Sequence, residues 1–93
     1  MQFEWDENKN KANIAKHGIG FEIAKDVFDD KNKIIAANRI VDKEERFQVI
    51  GEIEGVIVIM VVFTPRDGKV RIISARRANK KERTNYENQT RTN

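Results

Sequence analysis

The chain contains no cysteine, one proline and one histidine. Without cysteine there is no disulfide framework and no thiolate zinc site. A single histidine leaves carboxylates as almost the only metal ligands. The adjacent Asp29 and Asp30 fall in a turn-like Asp-Asp-Lys-Asn cluster, the usual setting of solvated acids. Neither a metal nor another cofactor is expected. The longest apolar run, Val56 to Phe63, is eight residues, far short of the roughly 20 that span a bilayer. The chain opens on Met-Gln-Phe-Glu-Trp-Asp with no leader pattern, so a cytoplasmic protein without membrane contact is expected. No Gly-x-x-x-x-Gly-Lys, Gly-x-Gly-x-x-Gly or Gly-x-Ser-x-Gly pattern is present, which argues against nucleotide-cofactor enzymes and α/β-hydrolases.

What is present is charge, unevenly placed. The 93 residues have the length of one domain, spanning 1–93. The net charge of +3 hides an asymmetry. Residues 1–63 carry nine Lys/Arg against twelve Asp/Glu; residues 64–93 carry nine against three. A basic C-terminal third suggests an anionic partner.

The pattern reads as α+β. Residues 2–5 alternate polar and apolar, as a short extra N-terminal strand would. Asp6 is placed to cap a helix that stops at Gly18. Phe21, Ala24, Val27 and Phe28 follow at helical spacing. Four strand candidates come next, at 33–41, 45–53, 56–63 and 69–76, and their short connections require an antiparallel meander. Asn79 and Glu82 form a capping-box pattern, so a basic third helix begins near residue 80. The last six residues, from Asn88, carry nothing apolar to hold them.

The stretch Val-Arg-Ile-Ile-Ser-Ala-Arg-Arg at 70–77 concentrates the basic signal and runs into Lys80, Lys81 and Arg83. Arginine recognises phosphate through a planar fork of donors. RNA supplies its own nucleophile, the 2′-hydroxyl, so cations that orient and neutralise the phosphate can do much of the work of cleavage. Strand alternation places Ser74 and Arg76 with Val70 and Ile72, and Arg71 with Ile73 and Ala75 on the other face. On that reading Arg71 and Arg76 serve different surfaces. His17 reads either as an acid/base group or as a charge favoured at a helix C-terminus. Trp5 reads as a base-stacking or a packing residue, and Tyr86 as a phosphate donor or an anchor for the last helix.

The residues also form a recognisable series. Phe3-Glu4-Trp5-Asp6 with Lys9, Asn13 and Lys16-His17-Gly18 resembles the N-terminal signature of the BrnT family. Phe21-Glu22-x-Ala24, Val27-Phe28-x-Asp30, Glu45-Arg46-Phe47, Ile50-Gly51 and Thr64-x-Arg66 continue the likeness. Arg71-Ile72-Ile73-Ser74-Ala75-Arg76, Glu82 and Tyr86 complete it, so it covers about residues 2 to 87. The resemblance implies a RelE-like fold and a metal-independent endoribonuclease toxin of a type II toxin–antitoxin system that arrests translation. It implies a BrnA-type, DNA-binding antitoxin as partner, with a toxin–antitoxin heterotetramer as a candidate assembly.

By the same resemblance, Lys16, His17, Arg46, Arg66, Arg76 and Tyr86 are the candidate site. Arg76 and Arg66 are expected to clamp the scissile phosphate, Arg46 to stabilise the phosphorane, and Lys16 or His17 to move protons. Ser74, Arg77, Lys80, Arg83, Tyr86 and Trp5 are expected to bind RNA. The expected location is a sheet face bounded by the last strand and by the first and third helices. The rival reading is a non-catalytic module in which the same arginines hold nucleic acid or an antitoxin without cutting.

Overall fold

The structure, a computed structural model, describes residues 1–91. Its elements run β1 (Phe3–Glu4), α1 (Glu7–His17), α2 (Phe21–Ala24), a 3₁₀ turn (Lys25–Asp29), β2 (Ile34–Val41), β3 (Glu44–Ile53), β4 (Ile57–Arg66), β5 (Lys69–Arg77) and α3 (Lys80–Arg91). The strands form one sheet in the order β1-β5-β4-β3-β2. β2 to β5 are the expected antiparallel meander, and the short N-terminal strand is the fifth member, parallel to β5. The second helix is shorter than its spacing suggests, because the chain tightens into the 3₁₀ turn after Ala24. α3 continues through Asn88 to Arg91, beyond where its apolar residues end; Thr92 and Asn93 lie outside the described residues.

Local chemistry explains the boundaries. Asp6 accepts from the Asn8 and Lys9 amides at the start of α1, and Gly18, at φ 72°, closes it. The β2–β3 turn at Asp42-Lys43 and the β4–β5 turn at Asp67-Gly68 each place two residues at positive φ, the requirement of a two-residue hairpin whose twist matches its strands. The Asp-Gly turn is tighter than the sequence suggests, since β4 carries Pro65 and Arg66 within the ladder.

Two clusters separate the faces of the sheet. Phe21, Ala24, Val27, Val49, Val61, Phe63, Ile72 and Ala75 pack together on the face covered by α2 and the 3₁₀ turn, with α1 along the β5 edge beside them. Ile50, Met60 and Tyr86 pack on the other, where α3 crosses. β4 contributes to both clusters, as its two-sided apolar run requires.

One irregularity controls the last strand. Val62 pairs with Ser74, but Phe63 pairs with Ile72, leaving Ile73 as an extra residue. A bulge of this kind inverts side-chain parity beyond it. Ile72 and Ala75 therefore both enter the helix-covered core, although they are three residues apart. The alternation expected from sequence is corrected accordingly. Arg71, Ser74 and Arg76 pair with Thr64, Val62 and Met60 respectively and share one face.

Two polar side chains finish what the strands leave open. β1 reaches only Arg71 along β5. Beyond it, buried Asn13 of α1 donates to the Ala75 carbonyl (2.8 Å) and accepts from the Ala75 amide (3.1 Å). On the far side, the β2–β3 ladder ends at Ile34 and Ile50. Asp30 there accepts from the Glu52 amide (2.8 Å) and from the Tyr86 hydroxyl (2.5 Å). Buried backbone groups are matched in each case without a full strand partner.

Candidate active site

The face opposite α2 is rich in arginine. Arg46 of β3 is paired with Arg39 of β2, and Arg71 of β5 with Thr64 of β4, so cross-strand register gathers these side chains on one surface. Arg66, Ser74 and Arg76 lie on it as well. Carboxylates hold three of the arginines. Arg66 donates to Glu44 at 2.6 Å, Arg71 to Glu4 at 2.8 Å, and Arg76 makes a two-pronged contact with Glu82 at 2.8 and 3.0 Å. Arg46 is different. Its Nε is buried without a hydrogen-bond partner, and among the described residues no carboxylate lies within 4.0 Å of its guanidinium.

Glu44 is at the centre of this charge. The hydrogen bond from Arg66, with the added fields of Arg66, Arg46 and Arg71, holds its carboxyl below the usual range despite partial desolvation. Arg66 is correspondingly raised, first by Glu44 and then by the fields of Glu4 and Asp67. Beneath them Thr64, 1% exposed, donates its hydroxyl to the Glu45 carbonyl at the end of the β3–β4 pairing. The result is a group of cations surrounding one ionised carboxylate, next to a guanidinium with spare donors. Such a group can bind a phosphodiester and accept a proton beside it.

Arg76 has another task. Its Glu82 partner is also the capping-box residue of α3: the Asn79 amide donates to Glu82 Oε1, and the Glu82 amide donates to Asn79 Oδ1. The Arg76 hydrogen bond keeps Glu82 ionised below its ordinary range against partial burial, with the Asn79 amide assisting. Arg76 thus fastens the first turn of α3 to β5. Tyr86 fastens the second, through Asp30 and the Ile50–Met60 cluster. Burial, and then the hydrogen bond to Asp30, raise the Tyr86 hydroxyl well above its ordinary value, so it is a structural donor at neutral pH.

The other expected site residues are dispersed. Lys16 and His17 end α1, which meets the sheet at the edge of β5 through the Asn13–Ala75 bonds and packs beside the start of α2, where the Phe21 amide donates to Asn10. Of the two helices expected to bound one surface, α3 packs on the arginine side through Tyr86, while α1 meets β5 at its edge and sits beside α2. Trp5 packs its ring edge-on to Phe21, with centroids 6.1 Å apart, and its indole donates to Glu7. Arg77 lines a shallow cleft with Gly18, Ile19, Ile23 and Ile57, also on the helix side. Arg83 donates to the Ala78 carbonyl, and Lys80 is exposed at the start of α3. Glu4 and Glu44 are the residues that sequence reasoning missed. Their one sequence signal is position: Glu4 stands within the recognisable series, and Glu44 directly precedes its Glu45-Arg46-Phe47 segment.

The fold and this surface define a class: small α+β proteins with an arginine-lined sheet face. Residues 5–82 match the family model described as "Ribonuclease toxin, BrnT, of type II toxin-antitoxin system". A solved structure, the 1.1 Å crystal structure of the Brucella abortus ribonuclease toxin BrnT, is similar at 31% identity and a TM-score of 0.64, covering 86% of this chain and 99% of that one. Among curated proteins no sequence matches. The chain belongs to the BrnT family of toxins of type II toxin–antitoxin systems, which implies an antitoxin partner. No helix among the described residues is long and apolar enough to cross a membrane.

Proposed function

We propose that the chain is a metal-independent endoribonuclease, with its active centre at Arg46, Glu44, Arg66 and Arg71. The observation that carries this reading is the unpaired, partly buried Arg46 beside an ionised carboxylate. Buried guanidinium donors are costly to leave unmatched, and a phosphate oxygen would match them. As substrate approaches, Arg66 and Arg71 turn their forks from carboxylate to phosphate. Glu44 then loses its strongest stabilising contact and gains basicity. It takes the proton of the 2′-hydroxyl, whose oxygen attacks phosphorus. Arg46 neutralises the phosphorane charge, the bond to the 5′-oxygen breaks, and that oxygen takes a proton from solvent. The products are a 2′,3′-cyclic phosphate and a free 5′-hydroxyl.

Arg76 and Tyr86 serve this site by holding α3 along its border, while Ser74 lies on the same face within reach of the backbone of a bound strand. The antitoxin we propose is a BrnA-type DNA-binding protein whose carboxylates cover the arginines, in keeping with charge complementarity at interfaces. RNA cleavage in the cytoplasm would account for arrest of translation. The test is incubation of purified protein with RNA in EDTA. Fragments ending in 2′,3′-cyclic phosphate, lost in Arg46→Ala, are expected. Intact but shifted RNA would instead support the binding module, for which the arginine face is equally suited.

A further inference from the structure

β2 is the strand with an open side. It is eight residues long, its six central residues are all exposed, and its outer row of backbone donors and acceptors has no partner among the described residues. The opposite edge is different, being two residues of β1 with Asn13 completing the row beyond. Ile35 and Ile40 are 50% and 72% exposed on β2. Proteins usually blunt such an edge, because it is a template for another strand.

We infer that β2 is an interface between two copies of this chain, paired antiparallel about a two-fold axis between Ala37 and Asn38. The register is carried by the strand's own bulge. β2 pairs with β3 regularly up to Ala37 and Phe47 and resumes at Arg39 and Arg46, so Asn38 is the extra residue. It is held to the arginine face by its amide bond to Gln48. Ile35, Ala37 and Ile40 consequently share the helix-covered face, and Ile34, Ala36, Arg39 and Val41 share the arginine face. Directly opposed residues in an antiparallel pair must point the same way. In a regular strand, an axis between two residues would set one face against the other. The bulge shifts parity at mid-strand and removes that conflict for every pair except the central one, where Ala37 and the bulged Asn38 flank the axis itself.

The same axis uses all eight residues. It sets Ile35 opposite the partner copy's Ile40, Ile34 opposite Val41, and Ala36 opposite Arg39, each twice by symmetry. Just beyond the strand ends it brings Lys33 to Asp42, so unlike charges meet at both rims and no like charges are opposed. The two-fold runs through the sheet, so both arginine faces lie on one side of a continuous ten-stranded sheet. A contact made of one strand pair is small and should give a weak, concentration-dependent dimer.

Sedimentation of the full chain over a concentration series tests this. A monomer–dimer equilibrium is expected for the wild type and a monomer for Ile40→Lys, with unchanged circular dichroism because the residue is exposed. The chain has no cysteine, so an equal mixture of Ile35→Cys and Ile40→Cys should form a disulfide-linked dimer that neither variant forms alone. A wild type that stays monomeric would overturn the proposal, as would a dimer indifferent to Ile40→Lys, or cross-linking by either variant alone. A monomeric wild type whose antitoxin binding is lost in Ile40→Lys would assign the edge to the antitoxin instead and equally overturn it.

Discussion

Arg76 and Glu82 are joined by two parallel hydrogen bonds, and the same carboxylate closes the capping box of α3. Removing either partner should therefore loosen the helix. Arg76→Ala and Glu82→Ala are expected to increase amide exchange across residues 80–91 alike. Their coupling in a double-mutant cycle should be about 1 kcal/mol, the pair being partly solvated. A loss of cleavage in Arg76→Ala that Glu82→Ala does not share would return Arg76 to the phosphate.

At the end of α1 the expectation reverses. Lys16 and His17 end a helix that closes at Gly18 beside Arg77, at the opposite end of β5 from Arg71, so Lys16→Ala and His17→Ala should leave cleavage at the wild-type rate. Arg46→Ala should lower it by about 10²–10³-fold, the scale of a lost donor to developing charge. Glu44→Gln should lower it by about 10²–10⁴-fold, as for a lost general base. Single-turnover assays on the four variants would decide the matter.

Gly51 is fixed by packing. A β-carbon there would lie 2.8 Å from Val27 Cγ2 and 3.2 Å from Asp30 Oδ2. Val27 is fully buried, so it has no room to yield. Gly51→Ala should cost about 1–3 kcal/mol in urea unfolding, the range of an overpacked core.

Stability should decline toward both ends of the pH scale. Burial pushes Asp30 up, but the Tyr86 hydroxyl, the Glu52 and Asn32 amides and the charge of Lys33 outweigh it and hold the carboxyl below its ordinary 3.8. Glu44 and Glu82 are likewise held below 4.5. These contributions are complete above the unfolded values and are lost as pH falls through the lower folded ones. Tyr86, the single tyrosine, is raised from 10.0. Its contribution is present below that value and lost as pH rises past it. Tyr86→Phe should remove the alkaline slope and cost about 1–2 kcal/mol at neutrality, as read from unfolding midpoints across pH.

The sequence made the caps legible, because Asp6, Gly18 and the Asn79–Glu82 pair act on backbone within a few residues of themselves. It also made the meander legible, since hairpin turns and strand alternation are local. The Ile73 bulge was not legible: an extra residue in a run of apolar and basic side chains leaves no mark on composition. Parity was therefore assigned one step wrong beyond Ile72, and Arg71 was separated from Arg76. The tertiary roles of Asn13 and Asp30 depend on strand ends that only pairing defines. Glu4 and Glu44 were passed over because an acid in a charged strand or hairpin resembles solvated surface until register brings an arginine to it.

The bulge also makes one residue of this strand dispensable to its facing. Ile73 has no cross-strand partner, so its deletion would leave Ser74 following Ile72 in plain alternation. Ser74 and Arg76 would stay on the arginine face, and Ala75 would stay in the apolar core. A natural relative one residue shorter between Ile72 and Arg77 should therefore carry a regular strand with the same side chains facing the same way.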